Sequence, residues 1–236
     1  MPTPPDYNDI RLGDVVVSSA TGEFGGIIQY DRGKTVQEGV FTRTGSLNRP
    51  PDVLRQAVTG LRATYRLKRS RFTEYLSQMV LEFDTFALPS IAKGSQDILF
   101  RPDYDHRKGF GAPTCESCDA TRRIQRSPRS PDPAIHYGVI ASGNQVMRNG
   151  IERDRISREL GGVLCFEMEA AGLMNTFPCL VIRGICDYSD SHKNKDWKAY
   201  AAAVAAVYAK ELLGEIEPAV VERTPAAAVV MSKSLK

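Results

Sequence analysis

From Cys179 to Cys186 the chain is almost continuously apolar, and the run stops on Asp187. A stretch of that length without polar alternation predicts a strand covered on both faces, as parallel or central strands are. Open α/β sheets place ligands at the carboxyl ends of such strands. On spacing alone Asp187 is either a site position or a turn or cap residue before Tyr188-Ser189-Asp190.

The rest of the chain alternates strands with helices. Residues 12–19 and 25–30 read as strands, with Gly22 to Gly26 as a hairpin turn between them. Pro50-Pro51 opens an amphipathic helix whose face is Val53, Leu54, Ala57, Val58 and Leu61, and a second runs over residues 72–83. Residues 135–141 predict another central strand, 153–160 a short helix, and 197–213 a long alanine-rich helix capped by Asp196. The expected fold class is a single α/β domain with a central mixed sheet flanked by helices. Its expected bounds are a flexible lead over 1–8, a domain over 9–214 with an irregular insert at about 96–133, and a disordered tail over 215–236.

A second carboxylate group precedes the apolar strand. In Cys165-Phe166-Glu167-Met168-Glu169-Ala170-Ala171-Gly172, two glutamates open a short helical run, where the helix dipole favours negative charge. Carboxylates in different environments can hold different protonation states at one pH. Cleavage of a glycosidic bond needs that combination: one charged group to stabilise the sugar and one acid to protonate the leaving group.

The wording of these segments carries a resemblance. Phe166-Glu167-Met168-Glu169-Ala170-Ala171-Gly172, Arg183-Gly184-Ile185-Cys186-Asp187 and Ile140-Ala141-Ser142-Gly143-Asn144-Gln145-Val146 resemble the nucleoside phosphorylase superfamily. The similarity is to the branch of methylthioadenosine/S-adenosylhomocysteine nucleosidases and purine nucleoside phosphorylases. The blocks at 10–18 and 188–195 are still more similar to the phosphorylase-like domains of filamentous fungi. The resemblance implies a three-layer phosphorylase-like architecture and cleavage of purine nucleosides by water or phosphate, with no cofactor. It also implies a homo-oligomer and a purine nucleoside as partner, joined by phosphate where the reaction is phosphorolysis. The alternative is a catalytically inactive nucleoside-binding or regulatory module, or a fragment of a larger multidomain signalling protein.

The resemblance also implies roles. Glu169 accepts hydrogen bonds from the ribose hydroxyls, Met168 packs under the sugar, and Glu167 borders the purine pocket. Phe166 is counted with these substrate-binding residues. Met147 lies where main-chain groups read the purine edge, and Val146 where nucleosidases place a stacking phenylalanine. Asp187 is the catalytic acid near purine N7. To carry a proton near neutral pH its pKa must be raised by burial from about 3.9. Asn144 stands where the family has aspartate. The strand and Gly-rich loop that usually precede the segment beginning here at Asp9 are not seen, so the fold is expected to be N-terminally incomplete.

The insert holds His106 and Cys115-Glu116-Ser117-Cys118. These are three ligands where structural zinc wants four, so no metal is expected and the trio is only a weak candidate. The basic run Arg122 to Arg129 reads as a solvated loop, His136 as a core histidine bonded to backbone, and His192 as part of a loop able to fold over the pocket. Arg183 needs a carboxylate, either Glu167 or Asp187.

Composition sets outer limits. With 236 residues, one α/β core would bury about 70% of the unfolded surface. A net charge of +3 is too small to argue for nucleic acid, and no apolar stretch reaches membrane-span length. No secretion signal is seen, and the five cysteines suit a reducing, cytoplasmic setting.

Overall fold

The computed structural model describes residues 9–67, 69–88, 96–106, 115–129, 132–177, 179–193 and 195–223. The expected lead, 1–8, and most of the expected tail, 224–236, lie outside the described residues.

In chain order the elements are β1 (Val15–Ser18), β2 (Ile27–Gln29), β3 (Gly33–Thr35), β4 (Phe41–Arg43), α1 (Asp52–Arg66), α2 (Phe72–Glu82), β5 (Ile135–Gly138) and β6 (Ile140–Ser142). There follow α3 (Gly150–Glu159), β7 (Cys165–Glu167), α4 (Ala170–Leu173), β8 (Ile182–Gly184), α5 (Lys198–Gly214) and α6 (Pro218–Arg223). The molecule is a mixed α/β fold. Its centre is two three-stranded sheets, ordered β5-β1-β8 and β2-β6-β7. The single residue Val139 separates β5 from β6, so one pass of chain from 135 to 142 serves both sheets. β1 runs parallel to β5, and β6 runs parallel to both β2 and β7. β3 and β4 form a separate, mostly exposed hairpin.

The local causes are plain. The β-branched run Val15-Val16-Val17 is fully buried and packs on the pleated face such residues favour. Thr21 and Phe24 exchange both backbone hydrogen bonds at 3.1 Å, closing the expected turn before β2. Asn149 caps α3, its side chain accepting from the N–H groups of Ile151 and Glu152. α5 forms because alanine costs least in a helix. It buries Tyr200, Val204, Val207, Tyr208 and Leu212, each large side chain contributing roughly 1.5–3 kcal/mol. α5 covers β1 and β8, and α1 and α2 pack against α5 in turn.

Three expectations change. β8 is short, half-buried and antiparallel to β1, with Val15 opposite Gly184. It is the last strand of its sheet, not a central one. It stays close to α5 because residue 184 is glycine: a Cβ there would stand 1.9 Å from the carbonyl oxygen of Ala201. Trp197 takes the N-cap position of α5, with no cap bond from its own side chain. Within the segment expected to be disordered, Pro218–Arg223 is helical.

The basic insert is not simply solvated. Arg126 places Nη2 3.0 Å from Asp97 Oδ1, and Arg129 places Nη1 2.5 Å from the Leu12 carbonyl oxygen and 3.5 Å from Asp97 Oδ2. Both guanidinium side chains are largely buried. Their charge is met inside the fold, which ties the insert to the start of β1.

Candidate functional site

The first half of the site is a turn built by Glu167. This residue ends β7 and is 5% exposed. Its Oε2 accepts from the N–H of Glu169 at 2.9 Å and of Ala170 at 2.8 Å. Ser142, at the end of the neighbouring β6, accepts from the N–H of Ala171 through Oγ at 2.9 Å. These acceptors satisfy the first donors of α4, as the open end of a helix requires. The other oxygen of Glu167 is buried with no hydrogen-bond partner among the described residues. The same turn leaves Met168 and Glu169 exposed, with Glu169 Oε2 accepting from the Met168 N–H at 3.1 Å.

The second half is the loop after β8. The side chain of Asp187 is 4% exposed, and Lys193 Nζ lies 2.9 Å from its Oδ2. Its Oδ1 accepts from the Ser189 N–H at 3.0 Å, and the Cys186 thiol donates to Oδ2 at 3.4 Å. Ser189 holds a φ of 54°, a left-handed conformation that is uncommon outside glycine. Burial by itself pushes the Asp187 carboxyl up. Lys193, the Ser189 N–H and the Cys186 thiol together outweigh it and hold the pKa below the ordinary aspartate value. The carboxylate is thus ionised in this arrangement, contrary to the protonated acid expected from sequence. The cation that pairs with it is Lys193, not Arg183.

The two halves leave the sheet in opposite senses. Glu167 ends β7, which runs parallel to β6, whereas Asp187 follows β8, which runs against β1. Cys165 is near enough to both carboxylates to feel their charge. Its thiol is pushed up to about 12 by burial, opposed by Arg183 and reinforced by Glu167 and Asp187. The charges of both carboxylates therefore reach one half-buried thiol. Two cavities, of about 240 and 460 Å³, share Phe24 as a lining residue; neither is lined by Glu169 or Asp187.

The residues expected at the purine edge divide. Val146 is 54% exposed. Met147 packs against a small core of Ile28, Ala141 and Phe166. Phe166 itself is a core residue, edge-on to Tyr30 at 5.6 Å. Asn144 donates its backbone N–H to Asp31 Oδ2 at 2.6 Å, and Gly143 donates to the Glu167 carbonyl oxygen at 3.2 Å, fastening this loop to the Glu167 turn.

His136 bonds a carboxylate rather than backbone: Nε2 lies 2.9 Å from Asp14 Oδ2. His192 is not on a lid but buried, stacked on Phe100 at 4.1 Å between ring centroids. Cys118 Sγ and Cys115 Sγ lie 3.3 and 3.8 Å from His106 Nδ1. Sequence reasoning gave no role to Lys193 or to the Ser142 hydroxyl, although both lie inside the blocks that carry the resemblance. Nothing in local pattern announces a partner across the fold.

No family model matches the chain. Over 86 residues it is 34% identical to a 5′-methylthioadenosine/S-adenosylhomocysteine nucleosidase of Mycobacterium bovis, a match covering 34% of this chain and 33% of that protein. The chain is also 48% identical over 212 residues, 89% of its length, to a nucleotide-binding leucine-rich repeat (NLR)-like protein of Hyaloscypha variabilis. The matched segments span a fifth of that protein and a third of the nucleosidase. Among solved structures, the nucleosidase of Neisseria meningitidis in complex with methylthio-immucillin-A superimposes with a TM-score of 0.46 at 15% identity. That match covers 89% of this chain and 63% of that one. The Streptococcus pneumoniae enzyme with a transition-state inhibitor gives 0.44 at 14%, covering 89% and 64%.

Proposed function

We propose that the chain binds a purine nucleoside with its ribose at Glu169 and Met168 and breaks the N-glycosidic bond with Asp187 at the base. One observation carries this reading. One carboxylate oxygen of the buried Glu167 is committed to backbone N–H groups, and the adjacent Met168-Glu169 pair is exposed, one apolar and one acceptor side chain side by side. The nucleosidase likeness of the same chain supports it. As the bond breaks, positive charge grows on the sugar and negative charge on the base. Glu169 stabilises the first. For the second, the proton comes from the Asp187–Lys193 pair, where it rests on Lys193 and reaches the base across the Asp187 carboxylate. Help of this general-acid kind is worth roughly 10²–10⁴-fold in rate.

A second reading has its own support: a nucleoside-binding regulatory module without turnover. An Asp187 held ionised by Lys193 is a poor proton donor and a good acceptor, and the NLR-like relative carries a similar segment within a much longer chain. One experiment separates the two. Incubation with adenosine and methylthioadenosine, followed by chromatography, shows released adenine if the first reading holds, and Asp187→Asn abolishes the release. A rise in melting temperature with nucleoside and no adenine establishes the second. Absence of both ends the proposal.

A further inference from the structure

The insert and the loop after β8 meet at a cluster the nucleoside reading does not use. The ligand atoms of His106, Cys118 and His192 all lie within 4.8 Å of one another. Cys115 Sγ stands 3.8 Å from His106 Nδ1, and Cys118 Sγ 3.3 Å from the same nitrogen. Zinc bonds of about 2.3 Å to sulfur and 2.0–2.1 Å to nitrogen, at tetrahedral angles, separate a sulfur and a nitrogen ligand by about 3.6 Å. The two sulfur–nitrogen distances bracket that value.

His192 supplies the independent observation. Its side chain is 5% exposed, and both ring nitrogens are buried without a hydrogen-bond partner among the described residues. A buried imidazole with two idle nitrogens costs folding free energy unless something is bound there. The Nδ1 atom faces Asp190 Oδ2 at 3.9 Å, the side on which a metal-bound histidine usually meets an orienting carboxylate. Phe100 and Tyr104 stack along the ring and fix its plane. His106 is held from the other side, its N–H donating to Ser191 Oγ at 2.9 Å.

We propose that His106, Cys115, Cys118 and His192 hold one zinc ion in a closed tetrahedral site that pins the insert to the loop carrying Asp187 and Lys193. Two thiolates and two imidazoles form a donor set that suits zinc and leaves no open position, so the role is structural. The sequence shows only three of these ligands together. The fourth lies 74 residues beyond Cys118 and reaches the site only through the fold.

The test uses the purified chain under reducing conditions. Elemental analysis is expected to find about one zinc per chain. Exchange into cobalt is expected to give the intense d–d bands of a tetrahedral ion together with thiolate-to-metal absorption. Chelation should lower the melting temperature by about 10 °C or more. Cys118→Ser and His192→Ala are each expected to lose the metal, whereas Cys179→Ser retains it. His192→Cys restores a fourth ligand and retains zinc. If His192 merely packs, the cysteine and alanine variants behave alike, which overturns the proposal. So does a wild-type chain with reduced thiols, no bound zinc and no cobalt bands, or one whose Cys115 and Cys118 are found joined as a disulfide. The cobalt spectrum of the wild type decides the matter even where a variant fails to fold.

Discussion

Lys193 Nζ lies 2.9 Å from Oδ2 of Asp187, and this contact sets the charge of the residue proposed to act at the base. Burial and the ammonium pull in opposite directions, and the ammonium with its helpers prevails. The carboxylate that the sequence suggests as a proton donor is, in the folded chain, half of an ion pair.

Removal of that partner has a signed pH signature. The folded-state pKa of Asp187 is depressed below its unfolded value. The pair therefore contributes stability that is fully present above the unfolded pKa of about 3.9 and is lost as pH falls through the lower folded value. Lys193→Met should destabilise the chain near neutrality by about 1–3 kcal/mol. That is below the range for a fully buried pair, because 27% of the lysine side chain remains in water. It should also flatten the fall of stability below about pH 4. Melting temperatures of both chains across pH 3–7 check this; parallel curves would refute it.

Glu167 acts through the backbone. Glu167→Ala removes an acceptor for two N–H groups at the start of α4. The expected loss is about 1–3 kcal/mol, read as a lowered urea midpoint. Glu167→Gln keeps a carbonyl acceptor and should lose less. An alanine variant as stable as wild type would show that the turn holds without it.

Glu169 should behave in the opposite way. It is exposed, so Glu169→Gln should leave stability within about 0.5 kcal/mol of wild type. If it stabilises the sugar cation, adenine release should fall by about 10²–10³-fold. Unchanged release with a normal melt removes Glu169 from the mechanism.

Gly184 is held by a close approach. Gly184→Ala drives a methyl group into the backbone of Ala201, which has no flexible end to yield. A loss of about 1–3 kcal/mol or more is expected from the forced separation of α5 and β8. Gly172, which has open space around its would-be Cβ, is the matched control. Equal melting temperatures for the two alanine variants would count against this packing account.

Much of the architecture is legible along the chain. The faces of α1 and α2, the valine run of β1 and the turn at Gly22 need only local spacing, because burial at a helical or alternating period is written residue by residue. The site divides on the same line. The Glu167-Met168-Glu169 turn is readable because its hydrogen bonds span two or three residues. Val146 and Met147 are neighbours in sequence, yet Met147 packs against the small core around Phe166 and Val146 goes to solvent, which only the packing separates.

By itself the sequence determined the apolar faces of α1 and α2, the buried valine run of β1 and which carboxylates stand next to strand ends. Only the tertiary structure decided that β8 runs against β1, that Asp187 meets Lys193 rather than Arg183, and that His192 joins His106 and Cys118. The reason is physical. Local propensity and periodicity act over a few bonds, whereas strand direction and the partner of a buried charge depend on how distant segments close onto one another, which no single stretch of chain contains.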